Sequence, residues 1–275
     1  MSIRAFKIFV INLNESTERL ERLKSEFERI GLDFERIPAV DGRKLSENQI
    51  LKHYSPELNR KKYFVPLSKP EIGVYLSHLT ACEKIISENL DFGMILEDDI
   101  VLKDGFQMIP QVLCSLNEKW NYIKLIAPGK KKKIKKSERI VVDLPIELNI
   151  ESYFKDINSG KNETITETRS ISAPAIFELI TWNKPPIGAS AYAITLDGAK
   201  EFLSKRSIFF RPIDVDLQYE WETSLNIQGL SPFFLELLGD KSTVQTCKLK
   251  YHYPLARIIY KLKYAIISGL YSKEK

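Results

Sequence analysis

An α/β fold with a mostly parallel sheet flanked by helices follows from three features of this sequence. A strand, a capped helix and a second strand occupy the first 40 residues. A second capped helix then leads into an apolar run. That run ends in three consecutive carboxylates, Glu97-Asp98-Asp99. Strand–helix–strand units close by right-handed crossovers and build parallel sheets. Ligands of such sheets sit beyond the carboxyl ends of the strands, where these acids fall. With 275 residues, 44% hydrophobic and 28% charged, the chain is long enough for one large domain or two small ones.

The elements follow in order. Phe6–Asn12 is an apolar strand. Asn14, Ser16 and Thr17 are candidate N-caps for a helix that carries Leu20, Leu23, Phe27 and Ile30 at helical spacing and stops at Gly31. Asp33–Val40 is the second strand, turning at Asp41-Gly42. Residues 43–67 are polar and aperiodic and read as a loop. Ser68-Lys-Pro-Glu71 is a capping box with proline in the first turn. It opens a helix with Ile72, Leu76, Leu79 and Ile86 on one face and Ser77 and His78 towards its side. Met94-Ile95-Leu96 is a strand buried on both faces. Gly105–Leu116 fits a helix; Trp120–Ile126 and Arg139–Leu144 fit strands. Residues 145–185 are rich in Ser, Thr, Asn and Glu and read as a lid or binding loop, or as partly disordered. Gly188–Thr195 is a strand and Asp197–Leu203 a capped helix. Arg211-Pro-Ile-Asp-Val-Asp216 reads as extended, which places Asp214 and Asp216 on one face. Pro232–Leu238 is apolar again.

Charge is uneven. Lys248–Lys275 holds seven basic residues and one acidic one, while the other 247 residues hold 34 and 35. Leu255–Tyr271 mixes Ile258, Ile259, Leu262, Ile266, Ile267 and Leu270 with Arg257, Lys261 and Lys263. This is the composition of a basic amphipathic helix that lies on an anionic membrane, its tyrosines at the interface; the competing reading is a terminal helix packed on the domain. Lys130–Lys136, six lysines around one isoleucine, reads as a solvated loop, with contact to acceptor phosphates or the membrane as the other readings; without interleaved aromatics it argues against nucleic-acid binding. Cys82, Cys114 and Cys247 form no CxxC pair, so neither zinc nor a disulfide framework is expected, and a reducing cytoplasm fits. The start of the chain has no signal-peptide pattern, and no apolar run approaches the ~18 residues of a spanning helix.

Three adjacent acids at a strand end repel one another and cost several kcal/mol if unpaired. A divalent cation relieves that cost, and oxygen ligands suit Mn²⁺ or Mg²⁺, which hold phosphates in turn. The alternative is a solvated acidic turn.

In these and other segments the chain resembles glycosyltransferase family 25, the group with lipopolysaccharide and lipooligosaccharide galactosyltransferases. The matching pieces are Val10-Ile-Asn-Leu13 with Arg19, Ala39-Val-Asp-Gly42, Glu71-Ile-Gly73 with Leu76-Ser-His78, and Leu96-Glu-Asp-Asp99. Gly188 through Ala191-Tyr192 with Gly198-Ala199, Pro212-Ile-Asp214 and a loose Ser242-Thr-Val244 complete the set. The resemblance implies a GT-A-type, Rossmann-like fold, a UDP-sugar donor, usually UDP-galactose, and inverting transfer. It spans roughly residues 6–244, so a domain at 1–247 is expected, with a nucleotide half about 1–127, an acceptor half about 128–247 and a basic tail at 248–275.

The resemblance sets Glu97-Asp98-Asp99 where such folds carry an Asp-x-Asp metal motif. Asp99 is the expected direct ligand of Mn²⁺ or Mg²⁺, with Glu97 reaching ribose or the metal and Asp98 nearby. Asn12, Arg19, Asp41, Ser77 and His78 are the remaining candidates for the nucleotide. His252 is a further candidate metal ligand; His53 has no such context. Inverting transfer needs a base for the acceptor hydroxyl. Asp214 and Asp216 are the candidates, Asp214 carrying the family match and Glu220 and Glu222 being possible substitutes. Asp214-Val-Asp216 as the metal site, or Asp216 as a helix N-cap, are the other readings of that pair. Trp182 and Trp221 can stack on sugars or belong to the core. The expected acceptor is a lipid-linked oligosaccharide at the inner face of a bacterial membrane. The competing functions are nucleotidyl transfer or phosphate-ester hydrolysis by the same carboxylates, and a non-catalytic membrane-surface module.

Overall fold

The computed structural model describes residues 5–63, 65–116, 120–129, 134–143, 147–148, 151–152, 165–166, 169–170, 174–239 and 254–274. The first strand, β1 (Phe6–Asn12), and helix α1 (Thr17–Arg29) stand where the apolar pattern sets them. Gly31 adopts φ +67° at the helix exit, a conformation that suits a residue without Cβ. Strand β2 (Glu35–Pro38) pairs parallel to β1. Helix α4 (Lys69–Ser87) begins at Ser68, whose side chain and that of Glu71 make the reciprocal capping box. Strand β3 (Phe92–Glu97) follows and lies parallel on the other side of β1.

Residues 43–67, expected to be a loop, contain helices α2 (Glu47–Leu51) and α3 (Pro56–Lys62). Both carry local signals: a capping box at Ser46 and Gln49, and a Ser55 cap followed by Pro56. They are too short for apolar periodicity to register.

Beyond β3 come β4 (Ile100–Leu102), helix α5 (Ile109–Ser115), β5 (Tyr122–Lys124) and β6 (Ile134–Asp143). Four two-residue strands, β7 (Glu147–Leu148), β8 (Glu151–Ser152), β9 (Ile165–Thr166) and β10 (Arg169–Ser170), pair as β7 with β10 and β8 with β9. Strand β11 (Pro174–Trp182) corrects the reading of 145–185 as one long lid: its last third is a nine-residue strand of the main sheet. Strand β12 (Ala191–Thr195), helices α6 (Leu196–Arg206) and α7 (Ile213–Asp216), β13 (Ile227–Ser231), β14 (Leu235–Leu237) and helix α8 (Pro254–Glu274) complete the chain. Ser242-Thr-Val244 and His252 lie outside the described residues.

The main sheet has eight strands in the order β2-β1-β3-β12-β5-β13-β11-β6. Strands β2, β1, β3, β5, β13 and β6 share a direction, while β12 and β11 run against it. One apolar core, with Val10, Phe27, Leu96 and Phe106, covers one face. The other, with Phe9, Tyr75, Ile95 and Phe202, covers the opposite face under α4 and α6.

Candidate active site

The carboxyl ends of β1, β2 and β3 lie side by side, because Ile11 is in register with Glu97 and Asn12 with Pro38. The acids at the end of β3 therefore face the N-terminal end of α1 and the turn after β2. Each acid is held differently.

Glu97 accepts a hydrogen bond from Ser190 Oγ at 2.8 Å, and its other oxygen lies 3.2 Å from His78 Nε2. Burial alone would push this carboxyl up; the histidine hydrogen bond and charge, helped by Ser190, hold it below the usual carboxylate range. His78 is fully buried, its Nδ1 3.0 Å from Tyr192 Oη. It thus reaches the site through Glu97. Ser77 is also buried. Its hydroxyl donates to the Gly73 carbonyl and accepts from the Val40 amide at 2.8 Å each, fixing α4 to the exit of β2. Both residues, expected to contact the nucleotide, are buried behind the acids.

Asp98 accepts from Asn12 Nδ2 at 2.7 Å and from Arg19 at 3.1 Å, and its carbonyl accepts from Arg22 at 3.0 Å. Asn12 Oδ1 accepts in turn from Arg36 at 3.0 Å. Asn12 and Arg19 thus stand beside Asp98, and Arg22 and Arg36 join them. Sequence reading passed these two over because surface arginines are common on helices and strands.

Asp99 differs from both neighbours. Its Oδ1 is buried without a hydrogen-bond partner. Burial, reinforced by the charges of Glu97 and Asp98 and opposed by Arg19, pushes its pKa up to about 6. An orphaned carboxylate oxygen within the field of Arg19 suits one contact to a divalent cation. The other coordination positions of Mg²⁺ or Mn²⁺ come commonly from phosphates and water. Glu97 and Asp98 have both carboxylate oxygens engaged, and among the described residues no group of three or more His, Cys, Asp or Glu side chains is arranged to hold a metal. The donor set thus fits a cation through Asp99, whose free oxygen is the one not already held.

Asp41 caps the turn that follows β2, accepting from the Arg43 amide and guanidinium. That arginine hydrogen bond lowers its pKa to about 2. Gly42 is where the turn crosses α4: a Cβ there would stand 1.8 Å from the Lys69 carbonyl oxygen, and one on Gly73 would stand 2.4 Å from that of Val40. The Asp-Gly and Glu-Ile-Gly segments are therefore two halves of one backbone crossing that fixes β2 and α4 behind the acids.

The second acidic pair is helical, not extended, since Ile213–Asp216 forms the single turn α7. Its two acids consequently face different surroundings, which corrects the expectation of a shared face. Asp216 is 3% exposed. It accepts from Tyr75 Oη and Arg211, and Arg206 Nε lies 2.8 Å away as an ion pair outside hydrogen-bond geometry. Glu222 pairs with the same two arginines. Asp216 and Glu222 are thereby committed to a buried cluster. Glu220 accepts from the Ile227 amide at 2.7 Å. Asp214 is half-buried, with one oxygen accepting from the Val215 amide at 2.9 Å.

Lys124 is a residue that the sequence reading did not single out. It sits at the end of β5, 3% exposed, and donates to the Gly188 carbonyl. Burial lowers its pKa to about 8, and the charge of Asp214 opposes that shift. Its only sequence signal is a lysine inside the apolar run Tyr122-Ile-Lys-Leu-Ile126. Trp182 is buried against Gly229, and Trp221 packs on Tyr219, Tyr264 and Tyr271. The core reading fits Trp182, whereas Trp221 is half-buried under the C-terminal helix.

Comparison with known proteins matches residues 5–217 to the family described as "Glycosyltransferase family 25 (LPS biosynthesis protein)". A "Glycosyltransferase 25 family member" of Aedes aegypti is 35% identical over 114 residues, 38% of this chain and 18% of that protein. "Procollagen galactosyltransferase 1-B" of Xenopus laevis is 29% identical over 110 residues, 39% of this chain and 18% of that protein. "Inactive glycosyltransferase 25 family member 3" of Mus musculus is 33% identical over 106 residues, 37% of this chain and 18% of that protein. The chain thus covers about a fifth of the length of these relatives. The match to the family runs from β1 through α7 and includes the acids at the end of β3 and the segment around Asp214; the chain belongs to glycosyltransferase family 25.

Proposed function

We propose that this glycosyltransferase moves a hexose, galactose in the favoured reading, from a UDP-sugar to a hydroxyl of a lipid-carried saccharide, with inversion at the anomeric carbon. The observation that carries the donor site is the unpartnered Asp99 oxygen beside Arg19, at the carboxyl end of β3. Galactose is favoured because a relative is named a procollagen galactosyltransferase. A lipooligosaccharide or lipopolysaccharide acceptor is favoured by the family's description as LPS biosynthesis proteins. In this reading residues 1–127 hold the nucleotide and 128–247 the acceptor, and the protein works at the inner face of a bacterial membrane.

Asp99 would hold Mn²⁺ or Mg²⁺, which supplies charge neutralisation for the departing diphosphate. The remaining roles belong to the chain. Arg19 and Arg22 face the same negative charge from α1, and Asn12 keeps Asp98 turned towards Arg19. His78 and Ser190 keep Glu97 ionised and oriented for the ribose. The acceptor oxygen bonds to the anomeric carbon as the carbon–oxygen bond to the diphosphate breaks. UDP leaves, and the hydroxyl proton passes to the Asp214 carboxylate.

Calorimetry of UDP with and without Mn²⁺, on the full chain and on Asp99→Ala, tests the donor site. The reading expects Mn²⁺ to tighten UDP binding and the substitution to abolish the tightening. Failure of UDP to bind with any divalent cation present would overturn it, and would favour a member without activity, like the mouse relative named inactive.

A further inference from the structure

Helix α8 is apolar on two sides, and only one of them is used. Its tyrosines turn inward. Tyr264 is buried, donating to the Gln218 carbonyl at 3.1 Å, and its ring packs on Tyr219 and Trp221. Tyr260 packs on Tyr63, and Tyr271 on Trp221. This corrects the expectation that the tyrosines sit at a membrane interface.

The opposite side carries Ile258, Ile259, Leu262, Ile266 and Leu270, between 51% and 63% exposed. At about 100° per residue these five fall within an arc of about 120°. Lys263 borders the arc on one side, and Lys261 follows Ala265 on the other; both lysines are exposed. The surrounding segment 248–275 carries seven basic residues against one acidic. No helix among the described residues is long and apolar enough to cross a membrane.

We infer that α8 lies in the plane of an anionic lipid bilayer, with the Ile258–Leu270 stripe among the acyl chains and Lys261 and Lys263 at the headgroups. An apolar arc bordered by lysines is the pattern of an interfacial helix, in which long cationic side chains reach up to the phosphates. A second copy of the chain would answer the apolar stripe, but it would bring two strongly basic segments together. Anionic lipid answers both the stripe and the charge. The inner face of α8 is seated on Tyr219 and Trp221, a few residues beyond Asp214. The bilayer contact therefore fixes the surface next to the half-buried acid of α7. The inference is independent of the donor-site assignment, and UDP binding reports on that separately.

The experiment is co-sedimentation of the full chain with vesicles of phosphatidylcholine alone and with about 30% phosphatidylglycerol, whose negative surface potential attracts basic segments. Binding to the anionic vesicles is expected, at least about tenfold tighter than to neutral ones. Lys261→Glu with Lys263→Glu should weaken it by about tenfold or more. Leu262→Ser with Ile266→Ser should weaken it comparably, with an unchanged thermal transition showing that the fold is intact. Three outcomes would overturn the inference. One is no binding to anionic vesicles. Another is binding that the apolar variant retains in full, which would mean electrostatic adsorption by other lysines. The third is a concentration-dependent dimer that Leu262→Ser abolishes.

Discussion

At the residue scale, acidic side chains no more than two positions apart end in opposite environments. Glu97 and Asp98 are satisfied by His78, Ser190, Asn12 and Arg19, whereas Asp99 keeps a buried oxygen without a partner. Its pKa of about 6 lies above the ordinary aspartate value of 3.8. A carboxyl raised by folding leaves stability intact below the unfolded pKa and removes it as pH rises through the folded one. Asp99→Asn should therefore gain up to about 2 kcal/mol of unfolding free energy at pH 8, with no gain at pH 3.5. Urea titrations at the two pH values check this. The same variant should lose the Mn²⁺ effect on UDP binding, since stability given up at one atom is the mark of a binding site. The second pair gives the converse. Removing the charge of Asp216 leaves the buried Arg206 and Arg211 with Glu222 as their one remaining acid in the cluster, so Asp216→Asn should cost about 3 kcal/mol. Asp214→Asn should leave the thermal transition within a few degrees of wild type and lower kcat by about 10²–10⁴ with little change in KM, if Asp214 takes the proton. Equal loss of stability in both variants would remove Asp214 from that role. The acid triplet was legible in the sequence because three carboxylates after an apolar run demand an explanation. The division between Asp214 and Asp216 was not. It depends on Arg206 and Tyr75, which arrive from other elements, and on a helical turn that alternation could not foresee.

At the element scale, what the sequence disclosed was whatever its own neighbours determine. The α4 capping box at Ser68 and Glu71 and the strand runs of β1 and β3 are set locally, and the structure places them within a residue or two of expectation. Helices α2 and α3 hid in a polar segment, although the cap signals at Ser46 and Ser55 were present. The role of Gly42 and Gly73 was hidden for a different reason. Each is needed only because the other element's backbone passes within contact distance, and that is a tertiary fact. A Cβ at either position meets backbone carbonyl, not a movable side chain, so the elements themselves must separate. Gly73→Ala should accordingly cost about 2–3 kcal/mol, the upper range of overpacking, despite alanine's better helix propensity. It should also weaken UDP binding, because β2 and α4 frame the acids. A denaturant midpoint equal to or above wild type would show that the crossing yields easily.

At the scale of the whole molecule, the order of the sheet explains why its middle was the least legible part. Strand β12 returns against β3 and β5, and β13 enters between β5 and β11 from more than 100 residues further along the chain. No periodicity announces such insertions, since a strand's own pattern says which faces are buried and not which neighbours bury them. The match to the family ends at residue 217, before β13. Yet among the described strands it is β13 that joins the β11–β6 pair to the rest of the sheet, through ladders to β5 and β11. It also contributes Ile227 and Leu230 to the two cores. A chain ending at 217 would expose the edges of β5 and β11 and the apolar surfaces that these residues cover. Unpaired strand edges of that kind favour association over folding. A fragment of residues 1–217 should therefore lack the cooperative thermal transition of the full chain and aggregate on purification. Residues 1–247, which keep β13 and β14, should retain a cooperative transition and Mn²⁺-dependent UDP binding, at some loss of stability where Tyr63, Tyr219 and Trp221 lose the cover of α8. Circular dichroism melts of the two fragments beside the full chain decide it. A folded 1–217 would make the last sheet strands an appendage; a folded 1–247 beside an unfolded 1–217 would make β13 part of the catalytic domain.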